Sequence, residues 1–174
     1  VSGAQCGRLK VKENPADPKS KDIDIEILRL PAISPAAQQD PLFLIQGGPG
    51  GSSIEMASFI HGIFADVRKN RDLIFIDQRG TGKSNPLRCE QLNEMDLQLP
   101  ESVQTEKYLR FMEQCSENFK ANLPFYTTLH ATQDLDAVRQ ALGYNVINLW
   151  GVSYGTRVAL EYARRYPQST RSII

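Results

Sequence analysis

Short apolar runs and alternating stretches divide this chain before any motif is considered. Leu9 and Val11 alternate, and Ile23, Ile25 and Ile27 alternate with Asp22, Asp24 and Glu26, the period of two that half-buried strands show. Between them, Asn14-Pro15-Ala16-Asp17-Pro18 is turn chemistry. The segment from Cys6 to about Pro31 therefore predicts an antiparallel hairpin at a sheet edge, and Pro31 to Pro41 a connecting loop. Leu42 to Ile45, Asp72 to Asp77 and Val146 to Trp150 read as buried strands. Helical spacing appears at Met56, Ile60, Ile63, Phe64 and Val67, and again at Tyr108, Leu109, Met112, Cys115 and Phe119. It recurs at Ala131, Leu135, Val138 and Leu142, closed by Gly143, and at Tyr154, Val158, Tyr162 and Tyr166, stopped by Pro167. The polar, proline-broken stretch at about 85–129 reads as an excursion from the core sheet. Ser172-Ile173-Ile174 reads as the opening of another buried strand.

Length and composition narrow the class. At 174 residues and 41% hydrophobic content the chain suits one domain with an ample core. Twenty basic and twenty acidic residues cancel, which gives no reason to expect nucleic acid or a membrane surface as a partner. The longest apolar runs fall far short of a membrane span. No signal peptide is visible, and Val1-Ser2-Gly3-Ala4 is compatible with a start left by processing or cloning.

The apolar run at 146–150 leads into Gly151-Val152-Ser153-Tyr154-Gly155, and a helix follows at once. That is the strand–turn–helix setting of a nucleophile elbow. With Ser153 at the tip of a tight turn, the residues two before and two after must be tiny, and they are Gly151 and Gly155. The helix start also aims free N–H groups at the reacting centre. The bland alternative is a plain strand-to-helix turn.

Two further loops leave strands. Leu42–Ile45 empties into Gln46-Gly47-Gly48-Pro49-Gly50-Gly51-Ser52-Ser53, whose glycines free the backbone to present N–H groups. An oxyanion hole would take one N–H from Gly47 or Gly48 and one from Tyr154. A flexible loop is the alternative, and a phosphate site is a weaker one, since Ser53 stands where a third glycine is needed. Asp77-Gln78-Arg79-Gly80-Thr81-Gly82-Lys83-Ser84 tempts a nucleotide-loop reading, but that motif needs glycine at Asp77. Asp77 and Arg79 are expected to tie down the turn beside the site through charged hydrogen bonds, with an ordinary solvated loop as the alternative. His61 and His130 read as incidental, and Asp134 or Asp136 as favouring a helix N-terminus. His130 with those two carboxylates is a poor metal site, so neither a metal nor an organic cofactor is expected.

Taken in order, Gln46–Ser53, Asp77–Ser84 and Gly151–Gly155 resemble the proline iminopeptidase and tripeptidyl aminopeptidase branch of the α/β-hydrolases, from about Cys6 onward. The resemblance implies an α/β-hydrolase fold: a mostly parallel sheet flanked by helices, with the antiparallel N-terminal hairpin, incomplete at the C-terminus. It implies a serine peptidase that removes residues or short peptides from peptide N-termini. Ser153 would be the nucleophile, with Gly47 or Gly48 and Tyr154 supplying oxyanion-hole N–H groups. Gln46 departs from the proline iminopeptidases, which usually carry His there, and leans toward the tripeptidyl side. Three cysteines leave one odd, Cys6. Cys89 and Cys115 are either two thiols or a disulfide, and the resemblance to secreted and periplasmic aminopeptidases favours the bridge and that location.

A serine nucleophile needs a His base and an acid to orient it, which in this fold follow the serine in the order acid, then His. After Ser153 the chain has no His and no Asp, and its one later carboxylate is Glu161. The expectation is the N-terminal part of a longer enzyme, inactive alone, whose Asp, His and substrate-reading cap lie downstream. An esterase or lactonase on the same scaffold, or a non-enzymatic binding domain, are the alternatives.

Overall fold

The period-two segments pair. β1 (Gln5–Lys12) and β2 (Asp22–Leu30) form an antiparallel hairpin. Ile23, Ile25 and Ile27 enter the core, while Asp24 and Glu26 face Arg8 and Lys10, and Asp22 faces Lys12, across the strands. Basic side chains along an edge strand discourage pairing with other chains. The computed structural model describes residues 3–89 and 100–174. The part of the expected excursion at 90–99 lies outside the described residues, as do the first two residues of the chain.

β3 (Leu42–Ile45) and β4 (Leu73–Ile76) are buried at every position, as strands covered on both faces must be. Phe43, Ile45, Ile74 and Ile76 pack on one side of the sheet with α4 (Thr128–Ala141) and α5 (Tyr154–Arg165). Leu42, Leu44, Leu73 and Phe75 pack on the other with Ala57 of α1 (Ser53–Ile60) and Val67 of α2 (Ala65–Arg68). With β5 (Ile147–Gly151) and β6 (Thr170–Ile173) the sheet has the order β1-β2-β4-β3-β5-β6, parallel from β4 to β6. From β3 the chain goes to β4 on one side and later to β5 on the other. The crevice beyond the carboxyl ends of β3 and β5 is thus a topological switch point, where open α/β sheets bind ligands.

Three local expectations need correction. The helix expected through Val67 breaks at residues 61–64, so Ile63 falls off the apolar face and is 77% exposed. α4 begins at Thr128, which puts Asp134 and Asp136 in mid-helix, too far from its N-terminus to act on it. Asp136 instead accepts from Arg139, Gln140 and the Tyr162 hydroxyl. The strand opening at Ser172 is present as β6, but at the sheet edge, with Ile173 and Ile174 40% and 68% exposed.

Residues Leu87–Leu123 form a separate unit from Val1–Pro86 with Pro124–Ile174. It holds α3 (Glu101–Glu117), and Cys115 on that helix is disulfide-bonded to Cys89 with Cα atoms 5.7 Å apart. Cys6 is an exposed free thiol. No described helix is long and apolar enough to cross a membrane.

Candidate active site

Ser153 sits between β5 and α5 with φ 54° and ψ −122°, a conformation that costs a non-glycine residue about 1–3 kcal/mol and persists only where its surroundings enforce it. They do. The Val152 N–H donates to Ile45 O (3.2 Å), and the Gly155 N–H closes the turn onto Val152 O (2.8 Å). A Cβ at Gly151 would stand 2.5 Å from Gly155 O, and one at Gly155 would collide with Ile45 O. Both positions therefore admit only glycine, as the packing of strand against helix requires. Ser153 is exposed, and its Oγ has no hydrogen-bond partner among the described residues.

The loop after β3 meets this turn because β3 and β5 are neighbours, with Ile45 opposite Gly151. A Cβ on Gly47 would lie 2.7 Å from Val152 O, 2.8 Å from Ser153 Cβ and 3.2 Å from Tyr154 N. Backbone, without a side chain, thus faces the serine from the second loop. Gly48 has φ 119°, and the Gly48–Pro49 bond is cis. Among the described residues the N–H groups of Gly48 and Tyr154 are unpartnered, whereas the Gly47 N–H donates to Gln46 Oε1 at 2.8 Å. Tyr154 is the first residue of α5, so its N–H has no acceptor within the helix. Its hydroxyl is hydrogen-bonded to Thr128 Oγ1 at 2.6 Å.

Asp77 and Arg79 serve different places. Asp77, 1% exposed, accepts from the Ser52 hydroxyl (2.7 Å), the Ile54 N–H (3.1 Å) and the Lys83 N–H (3.2 Å). It thereby joins the loops that follow β3 and β4, and Gly82 is glycine because a Cβ there would overlap the Asp77 carboxylate. Arg79 turns away from its own loop. Its guanidinium grips Asp134 with two 2.7 Å bonds and donates to the carbonyls of Glu13 and Phe125. Burial pushes the Asp134 carboxyl up, against the pull of Arg79. Ser52 and Ser53, given no separate role from the sequence, also matter. Ser52 caps α1 through the Glu55 N–H, and Ser53 Oγ accepts the Gln46 N–H. The Ser52-x-x-Glu55 spacing, a capping-box pattern, is the signal that carries the first of these.

Neither histidine reaches Ser153 by a hydrogen bond. His61, just past the end of α1, bonds Ala57 O through Nδ1, and His130 Nδ1 bonds Thr127 Oγ1 with its ring edge-on to Phe125. Burial, with Arg79 and Arg165, holds His130 below its ordinary value and hence neutral at pH 7. No group of three or more metal-ligating side chains occurs among the described residues. A cleft of about 80 Å³ opens beside Tyr154, lined by Pro49, Gly50, Gln78, Thr81 and Tyr126.

Residues 40–174 match the family described as alpha/beta hydrolase fold. The chain belongs to the α/β-hydrolase family. Relatives within it carry peptidase names. The tripeptidyl aminopeptidase of Streptomyces lividans is 29% identical over 98% of this chain and 34% of its own length. The serine protease Hip1 of Mycobacterium tuberculosis is 31% identical over 99% of this chain and 35% of its own. This α/β-hydrolase chain thus spans about a third of the length of these curated relatives. The crystal structure of a proline iminopeptidase from Mycobacterium smegmatis superposes with a TM-score of 0.58 at 22% identity, over 96% of this chain and 42% of that one. It shares the fold, and the resemblance drawn from the three glycine motifs stands beside relatives of the same names.

Proposed function

We propose that this chain carries the nucleophile and oxyanion hole of a serine aminopeptidase, whose catalytic Asp, His and cap come from sequence beyond Ile174. The observation that carries this reading is the exposed Ser153, whose Oγ has no partner among the described residues and which is held at φ 54° where only an enforced turn keeps it. Ser153 Oγ attacks a peptide carbonyl while the His takes its proton. The Tyr154 N–H and an N–H from Gly47 or Gly48 stabilise the oxygen as it gains charge. The amine then leaves with the proton, and water hydrolyses the acyl-enzyme. The peptidase names of the relatives support peptides as substrate. The Cys89–Cys115 bridge supports a periplasmic or secreted location.

The test uses the full-length enzyme with three substrates: a tripeptidyl anilide with a free N-terminus, its acetylated form and a simple ester. Cleavage of the first alone is expected. Cleavage of the ester alone supports an esterase, and turnover of none supports a binding domain.

A further inference from the structure

The Gly47 N–H, one of the candidate oxyanion donors, is already occupied. Gln46 Oε1 accepts it at 2.8 Å, and Gly47 is buried, so without that oxygen a backbone donor would be left orphaned away from water. The loop is shaped around this pose. A Cβ at Gly51 would fall 2.6 Å from Gln46 Cγ, so the side chain lies directly over Gly51. The Gln46 backbone is pinned at both ends, its N–H donating to the buried Ser53 hydroxyl (3.0 Å) and its carbonyl accepting from Gln78 Nε2 (3.3 Å). Its Nε2, by contrast, has no hydrogen-bond partner among the described residues. One side-chain hydrogen bond therefore holds the carboxamide in this pose on a fixed backbone.

We infer that Gln46 is a placeholder for the substrate oxygen: its carboxamide oxygen satisfies the Gly47 N–H at rest and must rotate away before that N–H serves the reacting carbonyl. This rests on the Ser153 reading above. Gln46 is then a positioning residue, acting on the reaction through the Gly47 N–H. The neutral amide oxygen is a weaker acceptor than an oxyanion, so the exchange favours the transition state, and the resting contact slows the enzyme by the strength of one net hydrogen bond.

In the full-length enzyme, Gln46→Ala is expected to raise kcat/KM on a tripeptidyl anilide roughly two- to tenfold, with a lower Tm because the buried N–H loses its partner. Gln46→Glu keeps the acceptor and adds charge. It is expected to depress activity at neutral pH, with the deficit relative to wild type closing as pH falls through the introduced carboxyl's range. A lowered or unchanged kcat/KM in the alanine variant, or a pH-independent deficit in the glutamate variant, overturns the placeholder role while leaving Ser153 as nucleophile. A wild-type enzyme that Ser153→Ala leaves fully active overturns the Ser153 reading, and the placeholder with it.

Discussion

The two ends of the same parallel strands are built on opposite plans. At the amino ends, buried polar groups are saturated. Asp40 is held by Arg71, Arg171 and Asn148, and Asn148 Oδ1 in turn accepts from Ser172 and Arg171. Asp72 accepts from Arg29, the Ala32 N–H and the Tyr144 hydroxyl. At the carboxyl ends, the N–H groups of Gly48 and Tyr154 and the Ser153 hydroxyl have no partner among the described residues, and the geometry is enforced by glycines with no room for a methyl group. Full pairing at one end stabilises the sheet. Incomplete pairing at the other leaves groups available to a substrate, and Asp77 supplies the rigidity that the open groups lack.

Substitutions at the two ends should separate these plans. The largest effect is expected from Gly155→Ala, whose methyl group meets Ile45 O. A loss of about 3 kcal/mol in denaturant unfolding of the full-length enzyme is expected, with activity abolished. A variant of wild-type stability would show that the strand–helix contact is looser than described. Asp77→Ala strips an acceptor from Ser52, Ile54 and Lys83. It should cost about 2 kcal/mol and lower kcat as well, because one of the loops it joins is the loop after β3 whose Gly47 faces Ser153. Loss of stability with kcat unchanged would assign Asp77 to the structural end of the comparison.

Asp72→Asn tests the amino end and should have the smallest effect, about 1–2 kcal/mol at neutral pH with kcat unchanged. Burial alone would raise the Asp72 carboxyl, but the Tyr144 and Ala32 hydrogen bonds and Arg29 outweigh it and hold it below 3.8. Asp40 and Asp136 are lowered in the same way, burial being outweighed by Asn148 and Arg71 in one and by Arg139, Gln140 and Tyr162 in the other. Since the folded state binds these protons less tightly than the unfolded chain, their stabilisation is present above 3.8 and is lost as pH falls through the lowered values. The difference between wild type and Asp72→Asn should therefore narrow as pH falls below 3.8 and close once Asp72 is protonated in the folded state. A gap that persists beyond that point would assign it to packing.

What the sequence disclosed was local. Leu42–Ile45 and Leu73–Ile76 are legible as strands because each apolar run is only four residues long and empties into a glycine-rich turn, and the four-residue spacing from Tyr154 to Tyr166 names the buried face of α5. The glycine demands at 151 and 155 follow from the turn alone. What stayed hidden was tertiary. Arg79 meets Asp134 across 55 residues, and no spacing rule connects them. Ile63 continues a helical period through a turn that breaks it. The contact of Gln46 Oε1 with its own neighbour depends on the room that Gly51 leaves, a feature of the folded loop.

The most direct test of the account is to react the full-length enzyme with a fluorophosphonate and locate the adduct by mass spectrometry of the digested protein. One adduct on the peptide bearing Ser153, absent in Ser153→Ala while Tm is unchanged, is the predicted result. An active enzyme whose adduct lies on a different serine would contradict it.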